Sequence, residues 1–530
     1  MKINVSLVFS AVRLGHWIEE QADLIALLCL TLAFSLYVHY GNGHLLHFDE
    51  AMHYLMANHT SLKEAYLYSR SLAHPPLLIL LLYVLKPLGN SIFFLHSVSA
   101  VLSALAGWWA FRWMRRAFGP AEALLGLLLL AFSPAMVYAA CEIRQYALLL
   151  FFSCGALYFL HRFLEDEDLR AGILGWALLY GAILSHYSAA WIVLALAVHV
   201  GVSVWRHPDK RMFRLWAAAQ AGAASLYAWL YFSHVRGMFA DSIVQINIQS
   251  YLKSGYFFPK EESALSFIAR STRDVFAYFC GFQGPAIPLL ICFLAGLFLL
   301  SKRPGPLSAK PRHHPAILLS LPFILGCGGA LLGVLPFGGS RHISGLLPFI
   351  AAGIAVGAAR LLARRRVWLC LCLGILCVWL TQRSWLPRFA EPKMSAGNME
   401  TALQKLHEEV PAGEVLFVDD STHFLLTYYL SRNIPCQGKM YSSDIGGYRM
   451  LWPRSSHFTP EVFDRDLIVM ARSIGLRAGT LVNLMFVCWG NEEEMETFLT
   501  RCRLGDQERK WRFGPIFLLR IQVPKTRRIL

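Results

Sequence analysis

The sequence predicts a polytopic α-helical membrane protein followed by a small soluble α/β domain. Hydrophobic residues make up 56% of the 530-residue chain and charged residues only 16%, whereas an ordinary globular protein has about 25% charged residues. Apolar stretches long enough to cross about 30 Å of hydrocarbon recur as far as residue 383 and then stop. From residue 384 onward charged residues are common and apolar runs have strand length. We therefore expect a membrane module over 1–383 and a soluble domain over 384–530.

We expect about 11 transmembrane helices, within a range of roughly 10–13. The predicted spans are 22–40, 91–111, 120–139, 145–161, 171–185, 189–204, 213–232, 284–300, 315–335, 344–359 and 367–382. Pro75–Leu88 is short and begins with two prolines, so we expect an interfacial helix there. It belongs to a first outer loop over 41–90, and a second long outer loop covers 233–283. The first span is expected to stay uncleaved, because no small-residue cleavage motif follows it.

Clusters of basic residues predict the orientation in the membrane. They lie in alternate connections, at Arg112–Arg116, Arg206–Arg214, Lys302–Arg312 and Arg360–Arg366. With 11 spans these connections share one side with the N-terminus, which is therefore expected to be cytoplasmic. The outer loops and the C-terminal domain then lie on the opposite side. The +15 net charge is divided among these clusters and does not follow one face, so nucleic acid is not an expected partner.

The C-terminal domain shows strand and helix patterns in alternation. Strands are predicted at Glu414–Asp419, Leu481–Cys488 and Ile516–Val523, and helices at Phe424–Leu430 and Asn491–Leu499. No Gly-rich nucleotide fingerprint lies between these strands, so we expect no cofactor there. Cys436, Cys488 and Cys502 could supply one disulfide.

Ionisable residues near membrane depth are costly, and this makes them candidates for a functional site. Outer connections supply His47, Asp49, Glu50 and His53, then His74, then Glu142, Arg144 and Tyr146, then His186 and Tyr187, and finally Arg341 and His342. Because separate connections bring these residues to one membrane face, we expect a polar site there.

Structural interpretations compete with this one. Asp49 could simply cap the helix that follows it, and His74 could stiffen the turn before two prolines. His186 and Tyr187 could anchor a turn at the membrane interface, and Arg341 could be a snorkelling cation. The glycines before Arg341 favour a ligand, because they let the backbone approach it closely.

The chemistry that fits these residues is group transfer from an anionic lipid. Arginine offers bidentate hydrogen bonds to a phosphate leaving group. A carboxylate can accept the proton of an attacking hydroxyl group. A polyprenyl tail would lie between the spans, with its phosphate at the interface.

The chain resembles the bacterial GT-C glycosyltransferases related to protein O-mannosyltransferases and to the aminoarabinose transferase that modifies lipid A. The matching pieces occur in the order of that family: His47-Phe-Asp49-Glu50-Ala, His74-Pro75-Pro76-Leu, Ser133-Pro134 before Glu142-Ile-Arg144-Gln-Tyr146, Ser185-His186-Tyr187, Ser340-Arg341-His342 with Pro348, and Thr427-Tyr428-Tyr429-Leu430. Each piece is short, whereas the ordered set covers nearly the whole chain.

The resemblance implies a GT-C fold, a polyprenyl-phosphate sugar donor, and inverting transfer outside the bacterial inner membrane to a lipid, polysaccharide or protein. It makes Asp49, next to Glu50, the catalytic carboxylate. The donor phosphate would be held by Arg144 and Arg341, with His342 in the place where the family usually has tyrosine. The expected cavity lining is His74, Glu142, Tyr146, His186 and Tyr187. No metal is expected, although Asp49 with Glu142 could bind a divalent ion.

Two alternatives stay open. A polysaccharide ligase or polymerase with a lipid-diphosphate donor also has many spans and outer Arg and His residues. A transporter fits less well, because its polar residues would lie near mid-membrane, often within internal repeats.

The loop over 233–283 carries Tyr251, Tyr256, Phe257, Phe258 and Lys260. This loop could gate the acceptor side or could form an interfacial aromatic belt.

Overall fold

The computed structural model describes residues 17–70, 74–238, 252–302, 315–361, 395–431, 441–453, 457–501 and 509–524. They fall into two compact units. The first unit takes its residues from Met1–Gly41, Tyr66–Leu78 and Phe93–Pro387. The second takes them from Asn42–Ala65, Ile79–Ile92 and Arg388–Leu530. The second unit therefore combines most of the first outer loop with the C-terminal domain.

Apolar α-helices form most of the membrane module. They are α1 (Ala22–Gly43), α5 (Ile92–Ala117), α6 (Pro120–Ala131), α7 (Pro134–Cys141), α8 (Gln145–Asp166), α9 (Leu169–Ser185), α10 (Ala189–Trp205), α11 (Lys210–Leu230), α13 (Ala286–Lys302), α14 (Pro315–Leu331) and α15 (Leu347–Leu361). A π turn, Tyr231–Val235, continues α11, and a 3-10 turn, Arg341–Leu346, leads into α15. The amphipathic helix α12 (Ala264–Cys280) lies within the predicted second outer loop.

These helices identify a membrane protein. Among the described residues, four helical stretches are long and apolar enough to cross a membrane: α1, α5, α8 and the continuous stretch Arg341–Leu361. The pair α6 and α7 makes a fifth if it counts as one bent span. Shorter apolar helices lie at most of the other predicted positions, and the predicted span 367–382 lies outside the described residues. The total of about 11 therefore stays a prediction.

One predicted span, 120–139, is broken into two helices. The axes of α6 and α7 differ by 57°. Pro134 begins α7, and it can neither donate a backbone hydrogen bond nor let Ser133 adopt helical geometry readily. Ser133 instead caps α7, because its hydroxyl group accepts a hydrogen bond from Met136 N at 3.2 Å. The bend places the C-terminal end of α7 at Glu142, in the predicted site.

Charged side chains join helix ends on the predicted cytoplasmic side. Arg116, at the end of α5, donates to Glu165 at 2.8 Å and also pairs with Asp166. Arg162 pairs with Asp168, which caps α9. The acidic residues at the end of α8 thus pair with Arg116, which belongs to a basic cluster that the sequence predicts to be cytoplasmic.

The first outer loop contains three short helices. They are α2 (Phe48–Ala57), α3 (Leu62–Ser69) and α4 (Leu77–Leu85), with a 3-10 turn at Lys86–Leu88. The last two elements cover Leu77–Leu88, where the short interfacial helix was predicted.

The described residues of the C-terminal domain form a six-stranded mixed sheet with flanking helices. Its elements are α16 (Gly397–Glu409), β1 (Val415–Phe417), α17 (Asp420–Leu430), β2 (Tyr441–Ile445), β3 (Tyr448–Trp452), α18 (Pro460–Ser473), β4 (Leu481–Val487), α19 (Glu492–Arg501), β5 (Arg509–Phe513) and β6 (Ile516–Gln522). The strand order is β2-β3-β1-β4-β6-β5. Strand β1 pairs in parallel with β3 and β4, and the other neighbours are antiparallel. The three predicted strands are present, and Cys436 and Cys502 lie outside the described residues.

Glycines let α13 and α15 approach closely. A Cβ atom at Gly296 of α13 would overlap the carbonyl oxygen of Gly353. One at Gly357 of α15 would overlap the carbonyl oxygen of Cys292. Small residues at a helix crossing are typical of membrane bundles, where tight packing replaces the hydrophobic effect.

We predict that Gly296→Ala and Gly357→Ala each destabilise the bundle by about 1–3 kcal/mol, because the added methyl group forces the helices apart. Gly328→Ala in α14 is the matched control, since a Cβ atom there meets nothing within 4 Å. Thermal melting in detergent should show a lower Tm for the first two variants only. Equal Tm values for all three would contradict this packing.

Candidate active site

Glu142 and Arg144 lie in an extended break between two helices. Glu142 is the residue after α7 and has extended backbone angles, and Arg144 is the N-cap position of α8. Arg144 N donates to Glu142 O at 2.9 Å, and this bond closes the turn. Both side chains are only 3% exposed. The break thus places the Glu142 carboxylate and the Arg144 guanidinium group in the protein interior, where α7 ends and α8 begins.

His186 ends α9 in the tight turn before α10. Its Nδ1 atom lies 2.7 Å from Ser188 Oγ and accepts a hydrogen bond from Ser188 N at 3.1 Å. Nδ1 is therefore an acceptor in this turn, and the ring is held in one orientation. The adjacent Tyr187 is half-buried, and its hydroxyl group has no hydrogen-bond partner among the described residues.

Arg341 and His342 begin the 3-10 turn that leads into α15. Ser344 Oγ donates to Arg341 O at 2.5 Å and fixes the backbone of the turn. The Arg341 guanidinium group reaches α7, where Nη1 lies 3.4 Å from Tyr138 Oη. His342 Nδ1 lies 3.3 Å from Ser340 Oγ.

Ring contacts bring these connections together in the first unit. The His186 ring centroid lies 5.6 Å from that of His74, 5.3 Å from Tyr146 and 5.9 Å from His342. The Arg144 guanidinium group lies 5.6 Å from the centre of the Tyr146 ring. We name as the Arg–His cluster the residues His74, Glu142, Arg144, Tyr146, His186, Arg341 and His342. The described structure thus gathers residues from four separate connections, as sequence analysis expected.

The electrostatics of the Arg–His cluster favour an anion. Two guanidinium groups face one carboxylate, Glu142, so the formal charge stays positive with the histidines neutral. Burial, followed by the charges of Arg144 and Arg341, lowers the pKa of His186 from 6.5 to about 3. His186 is therefore a neutral hydrogen-bonding group at physiological pH, and the positive charge comes from arginine.

Sequence analysis missed two tyrosines at this site. Tyr138 contacts Arg341, and Tyr278 of α12 interacts electrostatically with Tyr138, Tyr146, Glu142 and Arg341. The Tyr278 hydroxyl group is buried and has no hydrogen-bond partner among the described residues, and the same holds for the Gln145 amide group. Tyr138 lies four residues before Glu142, one helical turn away, and this spacing was the available signal.

Asp49 and Glu50 belong to the second unit, in the first turn of α2. Glu50 is fully buried and accepts from His47 N at 2.8 Å, while the His47 side chain accepts from Asp49 N at 3.3 Å. This is a capping box with histidine as the cap, so Asp49 does not cap the helix. The Asp49 side chain is 14% exposed, and its Oδ2 atom lies 3.5 Å from His47 Nδ1.

The predicted site residues are divided between the two units. Asp49 and Glu50 lie in the second, and all other predicted site residues lie in the first. Within the described ranges, no group of three or more His, Cys, Asp or Glu side chains is arranged to hold a metal ion.

The chain is similar to known proteins in sequence and in fold. The family model for dolichyl-phosphate-mannose-protein mannosyltransferase matches residues 73–233, which include His74, Glu142, Arg144 and His186. The crystal structure of ArnT from Cupriavidus metallidurans bound to undecaprenyl phosphate is 12% identical, with a TM-score of 0.53, over 93% of this chain and 97% of that one. The chain therefore has the GT-C fold.

A second solved structure matches less well. It is archaeal oligosaccharyltransferase AglB from Archaeoglobus fulgidus, in complex with an inhibitory peptide and a dolichol-phosphate. It is 11% identical, with a TM-score of 0.49, over 87% of this chain and 69% of that one. No curated protein sequence in the comparison matches the chain. The GT-C fold expected from the sequence is confirmed, whereas the roles of single site residues stay predictions.

The pKa of His186 makes stability depend on pH. Since the pKa is about 3 in the folded protein and near 6.5 when unfolded, acidification from pH 7 protonates the unfolded chain first and destabilises the fold. At pH 5 the free energy of unfolding is lower than at pH 7 by at most about 2 kcal/mol from this group. We therefore expect the Tm of His186→Gln to fall less than that of wild type between pH 7 and pH 5. His407→Gln on the exposed face of α16 is the control, and an unchanged pH dependence in His186→Gln would contradict the prediction.

Proposed function

We propose that this protein is a GT-C glycosyltransferase, which transfers a sugar from a polyprenyl-phosphate donor to an acceptor hydroxyl group, with inversion at the anomeric carbon. The reaction would take place at the outer face of a bacterial inner membrane, with the N-terminus cytoplasmic. The observation that carries the proposal is the Arg–His cluster, which is largely buried, positively charged and built at helix ends.

A lipid monophosphate suits the Arg–His cluster. Arg144 and Arg341 can share the non-bridging oxygens of one phosphate. Arg144 is buried and Arg341 half-buried, so little water competes for such oxygens. The Tyr278 hydroxyl group, which has no hydrogen-bond partner among the described residues and lies near Arg341, can donate a further hydrogen bond. The similar ArnT structure holds undecaprenyl phosphate, a lipid of this class.

Asp49 is the proposed general base. The acceptor oxygen attacks the anomeric carbon while the bond from that carbon to the phosphate oxygen breaks, and the hydroxyl proton passes to Asp49. The bonding electrons leave with the polyprenyl phosphate, whose growing charge the two arginines stabilise. The Glu50 carboxylate accepts a hydrogen bond from His47 N in the capping box. We therefore propose a structural role for Glu50 and not a second catalytic one.

A donor panel tests the proposed class. Purified protein would receive polyprenyl-phosphate sugars, lipid-diphosphate sugars and nucleotide sugars, each with membrane lipid, glycan and peptide acceptors. The proposal expects turnover of the first donor class alone. Consumption of a lipid-diphosphate donor would instead favour a polysaccharide ligase or polymerase, and nucleotide-sugar consumption would overturn the donor assignment.

For Asp49→Asn we expect a decrease in kcat of at least about 100-fold, since a positioned base contributes roughly 10²–10⁴-fold. The Tm should stay within a few degrees of wild type, because the capping box does not use the Asp49 side chain. Glu64→Gln makes the same acid-to-amide change on the exposed face of α3 and should leave kcat unchanged. Wild-type turnover by folded Asp49→Asn would rule out Asp49 as the base.

For Arg144→Ala we expect kcat with the polyprenyl-phosphate donor to fall by about 10²–10³-fold, because charge on the phosphate grows as the sugar leaves. Arg144→Lys should recover only part of this, since lysine keeps the charge and loses the bidentate geometry. Arg273→Ala removes an exposed arginine of α12 and serves as the control. If donor kinetics were unaffected in Arg144→Ala, the phosphate would bind elsewhere.

A further inference from the structure

The C-terminal sheet has an edge of the kind at which α/β proteins usually bind ligands. From β1 the chain proceeds to β3 on one side, and it later returns to β4 on the other side. Such a reversal opens a crevice at the carboxyl ends of the parallel strands. Asp419 follows β1, His457 lies between β3 and α18, and Trp489 follows β4.

The start of helix α2 occupies this edge. The His47 ring lies 4.6 Å from the Trp489 ring between centroids. The next residue, Phe48, lies 5.1 Å from His457 in an edge-on arrangement and 5.7 Å from Trp489. All of these residues belong to the second unit. The position where a ligand would otherwise bind is thus filled by the two residues immediately before Asp49.

A buried hydrogen-bond network holds His457 in place. His457 Nδ1 lies 3.0 Å from Ser421 Oγ, which donates to Asp419 Oδ1 at 3.0 Å. Asp419 is fully buried and also accepts from Thr422 N at 2.8 Å and from Phe458 N at 3.0 Å. Since Ser421 donates its own proton to Asp419, its oxygen accepts the proton on His457 Nδ1. The ring that faces Phe48 is therefore fixed to the backbone of α17 and of the segment before α18.

The other end of α2 is fixed as well. Tyr54 packs edge-on against Tyr428 of α17, with centroids 5.1 Å apart. Tyr428 in turn donates to Asn90 O at 3.3 Å. With contacts at both ends, α2 can neither rotate nor slide on the domain without breaking aromatic packing.

We propose that Trp489 and His457 are positioning residues, which place Asp49 for catalysis by holding the rings of His47 and Phe48. This inference rests on the proposed role of Asp49 as base. It gives the C-terminal domain a part in the chemical step, although its residues touch no reacting atom. Small displacements of a reacting group are costly, and about 1 Å can lower a rate roughly 100-fold.

The test compares Trp489→Leu and His457→Leu with wild type in the full-length protein. We expect kcat to fall by about tenfold or more in each variant, with the KM for the polyprenyl-phosphate donor within about twofold of wild type. Trp489→Phe should restore most of the activity. The Trp489 indole N–H has no hydrogen-bond partner among the described residues, so the ring is what the residue contributes.

Trp511→Leu is the matched control, because Trp511 lies on β5 of the same domain and packs against Lys405 of α16. It should leave kcat unchanged. Hydrogen exchange of the amides over 47–52 gives a second readout that does not depend on the reaction. Faster exchange in Trp489→Leu and His457→Leu, but not in Trp511→Leu, would support the inference.

The outcomes separate this inference from the proposed function. An inactive Asp49→Asn together with normal kcat and normal exchange in Trp489→Leu and His457→Leu would overturn the positioning role alone. A fully active Asp49→Asn would overturn the role of the base, and with it any catalytic meaning of the positioning. A rise in donor KM without a fall in kcat would also contradict the inference, because it would indicate a damaged donor site.

Discussion

The cost of placing polar groups in hydrocarbon is the constraint on which the site depends. Glu142 follows α7, Arg144 precedes α8, His186 follows α9, and Arg341 begins the turn before α15. At a helix end the backbone already has groups without intrahelical partners, and a polar side chain can use them. A charged cluster assembled from helix ends therefore disturbs the apolar bundle less than one built from helix middles would.

The same constraint explains how the Arg–His cluster can be both buried and reactive. Arg144 is almost fully buried, and a buried guanidinium group is stable only with partners. Glu142 supplies one negative charge against two arginines, and His186 stays neutral because a third positive charge there would be costly. The phosphate of the proposed donor would add negative charge and so bring the net charge of the cluster closer to zero. In the proposed reaction, the energy that folding loses by desolvating Arg144, and Arg341 in part, is available later to bind and stabilise the leaving group.

Sequence reasoning reached the fold and the connections that form the site, and it missed contacts that depend on packing. Apolar length predicted α1 and α8, and the Ser133-Pro134 pair was an unused signal for the break after α6. Tyr138 had a local signal in its spacing from Glu142, whereas Tyr278 could not be found, because it lies within α12 and only tertiary packing brings it to Arg341 and Glu142. The hairpin of β2 and β3 was also missed, since Tyr-Ser-Ser-Asp-Ile lacks apolar alternation. Gly446-Gly447, both with positive φ, was its local signal.

Helix α2 shows how two neighbouring carboxylates come to have different tasks. A general base must gain and lose a proton in each turnover, so it cannot also be the group that holds its helix together. Glu50 and His47 supply both hydrogen bonds of the capping box, and this leaves the Asp49 carboxylate out of the cap. Protonation of Asp49 would therefore remove neither of these hydrogen bonds, although it would weaken the contact of Asp49 Oδ2 with His47 Nδ1 at 3.5 Å. The contacts of Phe48 with the C-terminal sheet add a second restraint, which does not involve the Asp49 carboxylate. A base on such a helix can change its charge repeatedly while its position stays fixed.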